Sequence, residues 1–196
     1  HPLDDFRLEI ETFTNATLAG LKNLKDFCDS EVTVAGMVTD TKTGTGKNGK
    51  PYNIFVLQDY TDSFRFAVFD KDCVEFGKYF VTGYFLLVKG RVQKKRFDQN
   101  DYEFRIKSIN LLSSVKDELI KSFTIKIKAQ DVNPEIINRL SQLIKANPGE
   151  TELRFLFIDP ENKISLPMFS RSIRVRLNNN FLAYLDDHPV LEYKVN

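Results

Sequence analysis

From Glu31 onward the sequence alternates apolar and polar residues with a period of two, and this pattern constrains the fold more than any other feature. Such alternation is typical of β-strands that have one buried face. One helix-like segment, KDCVEFGKYF, interrupts it. Three strands, a short helix and two strands within roughly eighty residues is the order of a five-stranded OB-fold barrel. The strand segments are EVTVAGMVTDTKT, PYNIFVLQD, FRFAVF, YFLLVKGRVQKKRF and YEFRIKSINLL.

The alternation also predicts which side chains of the second and third strands point away from the barrel core. In the third strand Phe64, Phe66 and Val68 share the inner face, so Arg65, Ala67 and Phe69 point outward. In the second strand we expect the more polar register to face outward. That register comprises Tyr52, Ile54, Val56 and Gln58.

The loop GTGKNGKP, residues 44–51, resembles a phosphate-binding loop at first sight. That motif requires Ser or Thr after the lysine and a helix after the loop, because the helix N-terminus helps to hold the anion. Here Pro51 follows Lys50, and a β-branched and aromatic strand comes next. The sequence therefore predicts a mobile basic loop between two strands and excludes an NTP-binding site.

Basic and aromatic residues fall where OB-folds bind oligonucleotides, on strands 2–3 and in the loops between strands 1–2 and 4–5. Cations contact phosphates, and aromatic rings stack on bases. Residues 31–112 also carry a net charge of +3, against −3 for residues 1–30. A basic hairpin is also typical of a solvated sheet edge, and OB-folds also dock proteins. The predicted DNA contacts are Lys47, Lys50, Tyr52, Arg65, Phe69, Lys89, Arg91, Lys94, Lys95 and Arg96, the last three before a polar turn at 98–101.

After Leu112 the pattern changes to that of a small α+β domain. A connector or short helix (SSVKDELIKS) leads to a strand, a helix opened by Asp131-Val-Asn-Pro134, a hairpin, a further strand SIRVRL, a short helix and a last strand. FSRSIRVRL is either a binding edge or a solvated strand face. The predicted organisation is a helical lead-in at 1–30, the barrel at 31–112 and the α+β domain at 113–196.

Composition excludes several other classes. The net charge is only +1, and Cys28 and Cys73 form no CxxC pair, so we expect reduced thiols and neither a disulfide framework nor a zinc site. No catalytic constellation, metal site or cofactor motif is present, and His188 before Pro189 is typical of a turn. Neither a signal peptide nor a membrane-length apolar run is found, so the predicted location is the cytoplasm. Because the chain begins with His1, we expect a fragment of a longer protein.

Several stretches resemble one family over nearly the whole chain. HPLDDF is similar to the entry to the C-terminal barrel of the bacterial replicative DNA polymerase III alpha subunit, and residues 32–69 are similar to that barrel. EFRIKSINLL resembles its closing strand, and FSRSIRVRLNNNFLAYL resembles the final domain of Bacteroides-type alpha subunits. Barrels of this kind also occur in aminoacyl-tRNA synthetases, which lack the HPLD entry.

The resemblance implies a DNA-directed DNA polymerase whose catalytic domains and sliding-clamp motif precede His1. It implies a barrel that contacts single-stranded template DNA, a last domain that docks the tau subunit of the clamp loader beside other replisome subunits, and association with the nucleoid. Asn53 and Asp62 depart from the family, in which Gly is common at both positions, and the charge of Asp62 predicts weak DNA affinity. The alternative is a barrel that serves as a protein-docking scaffold, with its basic hairpin on an acidic partner and incidental DNA binding.

Overall fold

The computed structural model describes residues 1–95 and 100–196. The chain divides into two compact units, His1–Val115 and Lys116–Asn196. The predicted DNA contact Arg96 and the first half of the predicted 98–101 turn lie outside the described residues.

The first unit contains an antiparallel sheet of five strands in the order β3-β2-β1-β4-β5 within the described part of the chain. The order of elements along the chain confirms the OB-fold predicted from the alternation. A helix, α1, precedes the sheet, a second, α2, lies between β3 and β4, and a third, α3, follows β5. The bounds are α1 Arg7–Phe13, β1 Glu31–Thr45, β2 Pro51–Gln58, β3 Ser63–Phe69, α2 Lys71–Phe76, β4 Phe85–Lys94, β5 Tyr102–Leu111 and α3 Leu112–Leu119.

Strand β1 is shared between the two halves of this sheet. Its first half, from Glu31 to Met37, pairs with β4, and its second half, from Met37 to Thr45, pairs with β2. The strand changes partner where Gly36 lies so close to β2 that a Cβ atom would stand 2.6 Å from the Gln58 carbonyl oxygen. Only glycine fits so close an approach, which lets one strand bend around the core.

The core is formed by the inward residues of all five strands, with aromatic rings at its centre. Phe55 is fully buried, and its ring stacks on those of Phe66 and Phe80 at centroid distances of 5.1 and 4.5 Å. Leu18 and Leu21, from the segment before β1, are also fully buried in this core. The N-terminal segment is therefore packed into the barrel unit.

Hydrogen bonds to Asp59 connect this segment to the turn between β2 and β3. The Leu18 backbone N–H donates to Asp59 Oδ2 at 2.7 Å, and the backbone N–H groups of Thr61 and Asp62 donate to Oδ1 at 2.7 and 2.9 Å. Burial alone would raise the pKa of Asp59, but these hydrogen bonds outweigh it and hold the pKa below its usual value. The carboxylate thus satisfies three backbone donors at once.

The second unit is a four-stranded sheet in the order β8-β7-β6-β9, with helices between its strands. β6 and β7 are parallel and are connected through α4, whereas β8 and β9 pair antiparallel to their neighbours. This α+β arrangement is the predicted class. The bounds are β6 Ser122–Lys128, α4 Pro134–Ala146, β7 Pro148–Asp159, β8 Ile164–Val175, α5 Asn179–Asp186 and β9 Leu191–Val195.

Two details of this unit were open or wrong at the level of sequence. The connector SSVKDELIKS is helical over α3. The segment SIRVRL was predicted as a separate strand, but most of it continues β8, because the hairpin partner β7 is long enough to pair along the whole run. The continuation is irregular, with a register shift on β7 between Glu152 and Arg154.

The helices of the second unit begin at asparagine caps. The Ile136 backbone N–H donates to the Asn133 side chain at 2.9 Å, and Pro134 occupies the first turn of α4. At α5 the Phe181 N–H donates to the Asn178 side chain at 2.9 Å. These caps explain why both helices begin where the asparagines stand.

Candidate nucleic-acid interface

The outward face of β2 and β3 carries two aromatic residues at paired positions. Tyr52 is the cross-strand partner of Phe69 on one side and of Gly44 on the other. A Cβ atom at Gly44 would lie 2.5 Å from the Tyr52 hydroxyl, so the tyrosine ring lies across β1 at that point. Phe69 is 62% exposed. Tyr52 and Phe69 therefore occupy paired positions on the outward face, with the tyrosine ring directed toward β1, and each ring offers a surface on which a base could stack.

The predicted faces of both strands are confirmed. On β2 the buried residues are Asn53, Phe55 and Leu57, and the alternate positions face outward. On β3 the exposed positions include Arg65 and Phe69, as the alternation predicts. Arg65 and Phe69 are four residues apart, which corresponds to about 13 Å along a strand.

A cleft of about 490 Å³ lies between β3 and β5, the two edge strands of this sheet. The Phe66 and Phe104 rings meet at its base in an edge-to-face contact with centroids 5.2 Å apart. Arg65, Lys95 and Arg105 line it beside Phe69, together with the carboxylates of Asp72 and Glu103. The cleft thus combines aromatic rings with three cations and two carboxylates. Its aromatic lining comprises Phe64, Phe66, Phe69, Tyr102 and Phe104.

Several of the predicted DNA-contacting cations already have carboxylate partners. Lys50 pairs with Asp70, and Lys95 pairs with Asp101. All four side chains are substantially exposed, so each pair contributes little stability and exchanges readily with solvent ions. A phosphate bound there would replace a carboxylate, and this exchange lowers the net binding free energy that each contact contributes.

Lys89 lies on the outward face of β4, away from the aromatic pair along β1. Its Nζ is 3.1 Å from Glu31 Oε2, and Lys107 pairs with the other carboxylate oxygen. The hydrogen bonds from Lys107 and then Lys89 lower the pKa of Glu31 from its usual 4.5 to about 2. Lys89 pairs with Thr33, whereas Tyr52 pairs with Gly44, so β1 separates them by eleven residues. Lys89 is therefore not in the group that contains the two rings.

Arg91 occupies an intermediate position. It is the cross-strand partner of Arg105, which lines the cleft, and its guanidinium is 4.0 Å from Asp29. The structure thus brings Arg91 to the border of the cleft through β5. Arg105 was missed at the sequence level, although the alternation in EFRIK places it on the face opposite Phe104 and gave a usable signal.

The remaining predicted contacts lie at the loops. Lys47 is in the turn between β1 and β2, which closes through a Gly46 N–H to Lys50 carbonyl hydrogen bond of 2.8 Å. This turn joins two paired strands, which confirms that it is not a phosphate loop. Lys94 ends β4 opposite Tyr102. Among the described residues, Lys47, Lys94 and Arg65 form no ion pair.

The two positions that depart from the resembling family have structural explanations. Asp62 forms an ion pair with Lys22, so its negative charge is largely compensated. Hydrogen bonds from Lys22 and the Ser63 N–H lower the pKa of Asp62 below its usual value. Asn53 faces the barrel interior and is buried, so it lies off the binding face.

Within residues 1–95 and 100–196, no group of three or more His, Cys, Asp or Glu side chains is placed to hold a metal ion. Cys28 and Cys73 are both free, and burial raises the pKa of the Cys73 thiol. None of the helices that the structure describes is long and apolar enough to cross a membrane.

Comparison with known families matches the two halves of the chain separately. Residues 32–112 match the model for the OB-fold nucleic acid binding domain. Residues 123–196 match the model for the C-terminal domain of the DNA polymerase III alpha subunit. The two matches follow one another along the chain in the order of the two sheets.

The full-length proteins to which the chain is similar are also DNA polymerase III alpha subunits. The chain is 23% identical over 175 residues to the DNA polymerase III subunit alpha of Pseudomonas fluorescens, which is 89% of this chain and 14% of that protein. It is 21% identical over 187 residues to that of Pseudomonas aeruginosa, covering 95% of this chain and 15% of that protein. The chain thus spans only about a seventh of these relatives. A solved mitochondrial single-stranded DNA binding protein from S. cerevisiae is 18% identical, covering 42% of this chain and 93% of its own, with a TM-score of 0.34.

Proposed function

We propose that the chain corresponds to the C-terminal region of a DNA polymerase III alpha subunit and that its barrel binds single-stranded template DNA. The observation that carries the proposal is the cross-strand pair of outward aromatic residues, Tyr52 and Phe69, beside the cleft that Arg65 lines. Bases stack on such rings, and cations placed beside them contact the phosphates.

Within this proposal the residues have different roles. Tyr52 and Phe69 stack two successive bases, while Arg65 and Arg105 contact phosphates along the cleft. Lys47, Lys50, Lys94 and Lys95 extend the cationic track from the loops. Lys89 and Arg91 contribute through the general positive field rather than through direct contact. Because several of these cations are already paired with carboxylates, affinity is moderate and depends steeply on salt.

The test is fluorescence anisotropy of a labelled oligo-dT titrated with the 196-residue chain at several salt concentrations. Phe69→Ala is expected to weaken binding about tenfold, because stacking contributes about 1–3 kcal/mol per base. Phe169→Ala is the matched control, since Phe169 is also 62% exposed but belongs to the second unit. Tyr52→Ala should behave like Phe69→Ala.

The charged residues are tested by the salt dependence. The slope of log K against log salt is expected to fall by about 0.7 for each lysine that contacts a phosphate of a single strand. The Lys94→Ala/Lys95→Ala double variant should show this, and binding to duplex DNA should be weaker than to oligo-dT. Binding that depends on the lysines but not on the rings would instead support the alternative of a protein-docking scaffold. Absence of binding at low salt would refute the DNA proposal.

For the last domain we propose docking of the tau subunit of the clamp loader. The support is the match of residues 123–196 to the C-terminal domain of the alpha subunit. The test is surface plasmon resonance between the immobilised chain and purified tau, with and without saturating oligo-dT. Binding that oligo-dT does not displace is expected. A chain that fails to bind tau contradicts this part of the proposal and leaves the DNA part standing.

Polymerase chemistry is proposed to reside in the portions of the relatives that this chain does not span. The chain covers about 14% of the P. fluorescens protein, and its one phosphate-loop-like stretch is a turn between strands. The expectation is that the chain alone extends no primer on a templated substrate in the presence of Mg²⁺ and nucleotides. Measurable primer extension by the purified chain would overturn it. Within the parent protein the chain would act in replication at the nucleoid.

A further inference from the structure

Strand β8 of the second unit exposes an unusual amount of apolar surface. Of the eleven large apolar side chains that are exposed among the described residues, five lie in this one strand. Their exposed fractions run from 45% at Ile173 to 62% at Phe169. Contiguous apolar surface of this kind on a soluble domain marks an interaction site. The five are Ile164, Leu166, Met168, Phe169 and Ile173.

Met168 and Ile173 line an apolar groove between α4 and the β7–β8 hairpin, and Leu166 shares the face of Met168, whereas Phe169 lies on the other face of the strand. The groove has a volume of about 360 Å³. Phe155 of β7 is the cross-strand partner of Met168, so the two side chains share one face of the sheet. Ile137 and Leu140 of α4 form the opposite wall. Ser141 and Lys145 are the polar residues that line it within the described chain.

The geometry of the sheet explains why this groove exists. Strands are spaced about 4.8 Å apart and a helix is about 10 Å wide, so one helix covers about two strands. Residues of α4 line the groove together with Ile127 of β6 and Phe155 of β7. The same face of β8 is left without a covering helix of its own, with room beside α4 for one more.

The charges on β8, which borders the groove, are of one sign, and the nearest opposing charge on β7 is Glu152, the cross-strand partner of Arg174. Residues 163–176 carry Lys163, Arg171, Arg174 and Arg176 and contain no Asp or Glu. Lys145 adds a further cation at the groove itself. A partner that fits must therefore combine apolar side chains with negative charge. The almost wholly apolar lining favours a peptide over a nucleic acid, whose phosphates and base edges need polar partners.

We propose that the groove between α4 and the β7–β8 hairpin docks an amphipathic α-helix of a partner protein, with its apolar stripe in the groove and acidic side chains toward the arginines of β8. The inference rests on the proposed docking role of the last domain and names the surface and the partner's chemistry. The apolar stripe of the partner helix would cover the face of β8 that is exposed beside α4. The acidic residues speed association and fix the orientation.

The experiment uses three fluorescein-labelled synthetic peptides and the complete 196-residue chain. The first peptide places leucines on one helical face and glutamates elsewhere. The second replaces the glutamates by lysines, and the third has the composition of the first with the leucines scattered around the helix. Anisotropy titrations near physiological salt should show saturable binding of the first peptide only.

Chain variants locate the site. Ile137→Glu and Met168→Glu each place a charge in the groove at positions that are 53% and 49% exposed, so the fold is retained. Each is expected to weaken binding of the acidic peptide at least tenfold. Val74→Glu is the matched control, since Val74 is an 84% exposed apolar residue on α2 of the first unit. Arg171→Glu should weaken binding of the acidic peptide and allow binding of the lysine peptide. This variant tests the contribution of charge independently of the apolar variants.

Unchanged affinity in Ile137→Glu and Met168→Glu would overturn the proposal, as would equal binding of all three peptides. Displacement of the acidic peptide by oligo-dT would reassign the groove to nucleic acid. A chain dimer in sedimentation experiments that the same variants dissociate would reassign it to a second copy. Tau binding that these variants leave intact would refute this groove but not tau docking, whereas peptide binding without tau binding would refute only the tau part.

Discussion

The two sheets of this chain handle their apolar side chains in opposite ways. In the barrel, the phenylalanines, leucine and valine at the inward positions of β2 and β3 are buried, and the outward face carries Tyr52, Arg65 and Phe69 among aliphatic and polar side chains. In the second unit, β8 is exposed along almost its whole length, and its apolar residues face solvent. The comparison teaches that a sheet that curls around a core buries one face of its strands within the chain, whereas an open sheet can leave apolar residues of an edge strand exposed, where we propose that a partner binds.

The contrast is clearest in two phenylalanines. Phe69 and Phe169 are equally exposed at 62%. Phe69 adjoins Tyr52, Arg65 and a cleft that contains acids and bases, while Phe169 lies in a strand with four other exposed apolar residues. Exposure alone does not tell a stacking ring from a docking surface. The neighbouring residues do, and the proposed DNA binding at Phe69 should weaken more steeply with salt than the proposed docking in an apolar groove.

The largest expected change in stability distinguishes a buried ring of the barrel from an exposed one. Phe55→Ala removes a fully buried ring that stacks on two others, and is expected to lower the free energy of unfolding by about 3–5 kcal/mol. Phe69→Ala should change it by less than about 1 kcal/mol while weakening DNA binding. Urea unfolding monitored by circular dichroism measures both. Comparable losses of stability would show that Phe69 belongs to the core.

A second prediction concerns Asp59, which ties the N-terminal segment to the barrel. Asp59→Ala removes the acceptor of three backbone hydrogen bonds and should destabilise the first unit by about 1–3 kcal/mol. The second unit should be unaffected. Hydrogen–deuterium exchange resolved to residues 1–115 and 116–196 tests this, and faster exchange in both units would contradict it.

The same carboxylate gives a pH dependence whose sign is fixed. Its pKa is lower in the folded state than in the unfolded chain, whose usual value is 3.8. The stabilisation is therefore fully present above that value and is lost as the pH falls through the folded pKa. The first unit of the natural chain should lose stability below about pH 4, and the Asp59→Ala variant should lose less over the same range.

A third, smaller effect should be confined to the second unit. Asn133→Ala removes the side chain that caps α4, and is expected to lower stability by about 1 kcal/mol. Because α4 forms one wall of the apolar groove, peptide docking should weaken slightly as well, while oligo-dT binding stays unchanged. Thermal unfolding of the variant, with oligo-dT titration as the control, checks both parts. A loss of DNA affinity would break the separation of the two surfaces.

The smallest effect concerns Glu31, which holds Lys89 and Lys107. Glu31→Gln should raise affinity for oligo-dT by about two- to threefold, because the two lysines no longer neutralise a carboxylate. The pKa of Glu31 is about 2 in the folded chain against a usual 4.5, so its stabilisation is present above pH 4.5 and is lost as the pH falls toward 2. Gln should remove that dependence. Unchanged DNA affinity would show that Lys89 and Lys107 are too far from the strand to matter.

Sequence reasoning succeeded where one residue's place follows from its neighbours. The outward positions of Arg65 and Phe69 follow from alternation along β3, and the hairpin nature of the Gly-rich loop follows from the strand after Lys50. Both are local properties of the chain. The order of strands and one helix was sufficient to predict the OB-fold for the same reason.

The rest depended on distant partners. Asp70 is twenty residues from Lys50, and no local pattern indicates that the two side chains pair. Lys89 is far from the rings because β1 is long and pairs with β4 only along its first half. The apolar exposure of β8 was hidden because its residues have the composition of a buried strand. Composition predicts what a strand would bury, whereas the surrounding fold determines whether it does.

The division of β1 between two partners also has a consequence for the order of folding. Thr41 pairs with Phe55, fourteen residues later, whereas Thr33 pairs with Lys89, fifty-six residues later. The first pairing closes a short loop and the second a long one, which loses more chain entropy. One strand therefore belongs to an early hairpin at one end and to a late closure at the other. We expect the rate of folding to be limited by the docking of β4 onto a strand that is already half in place.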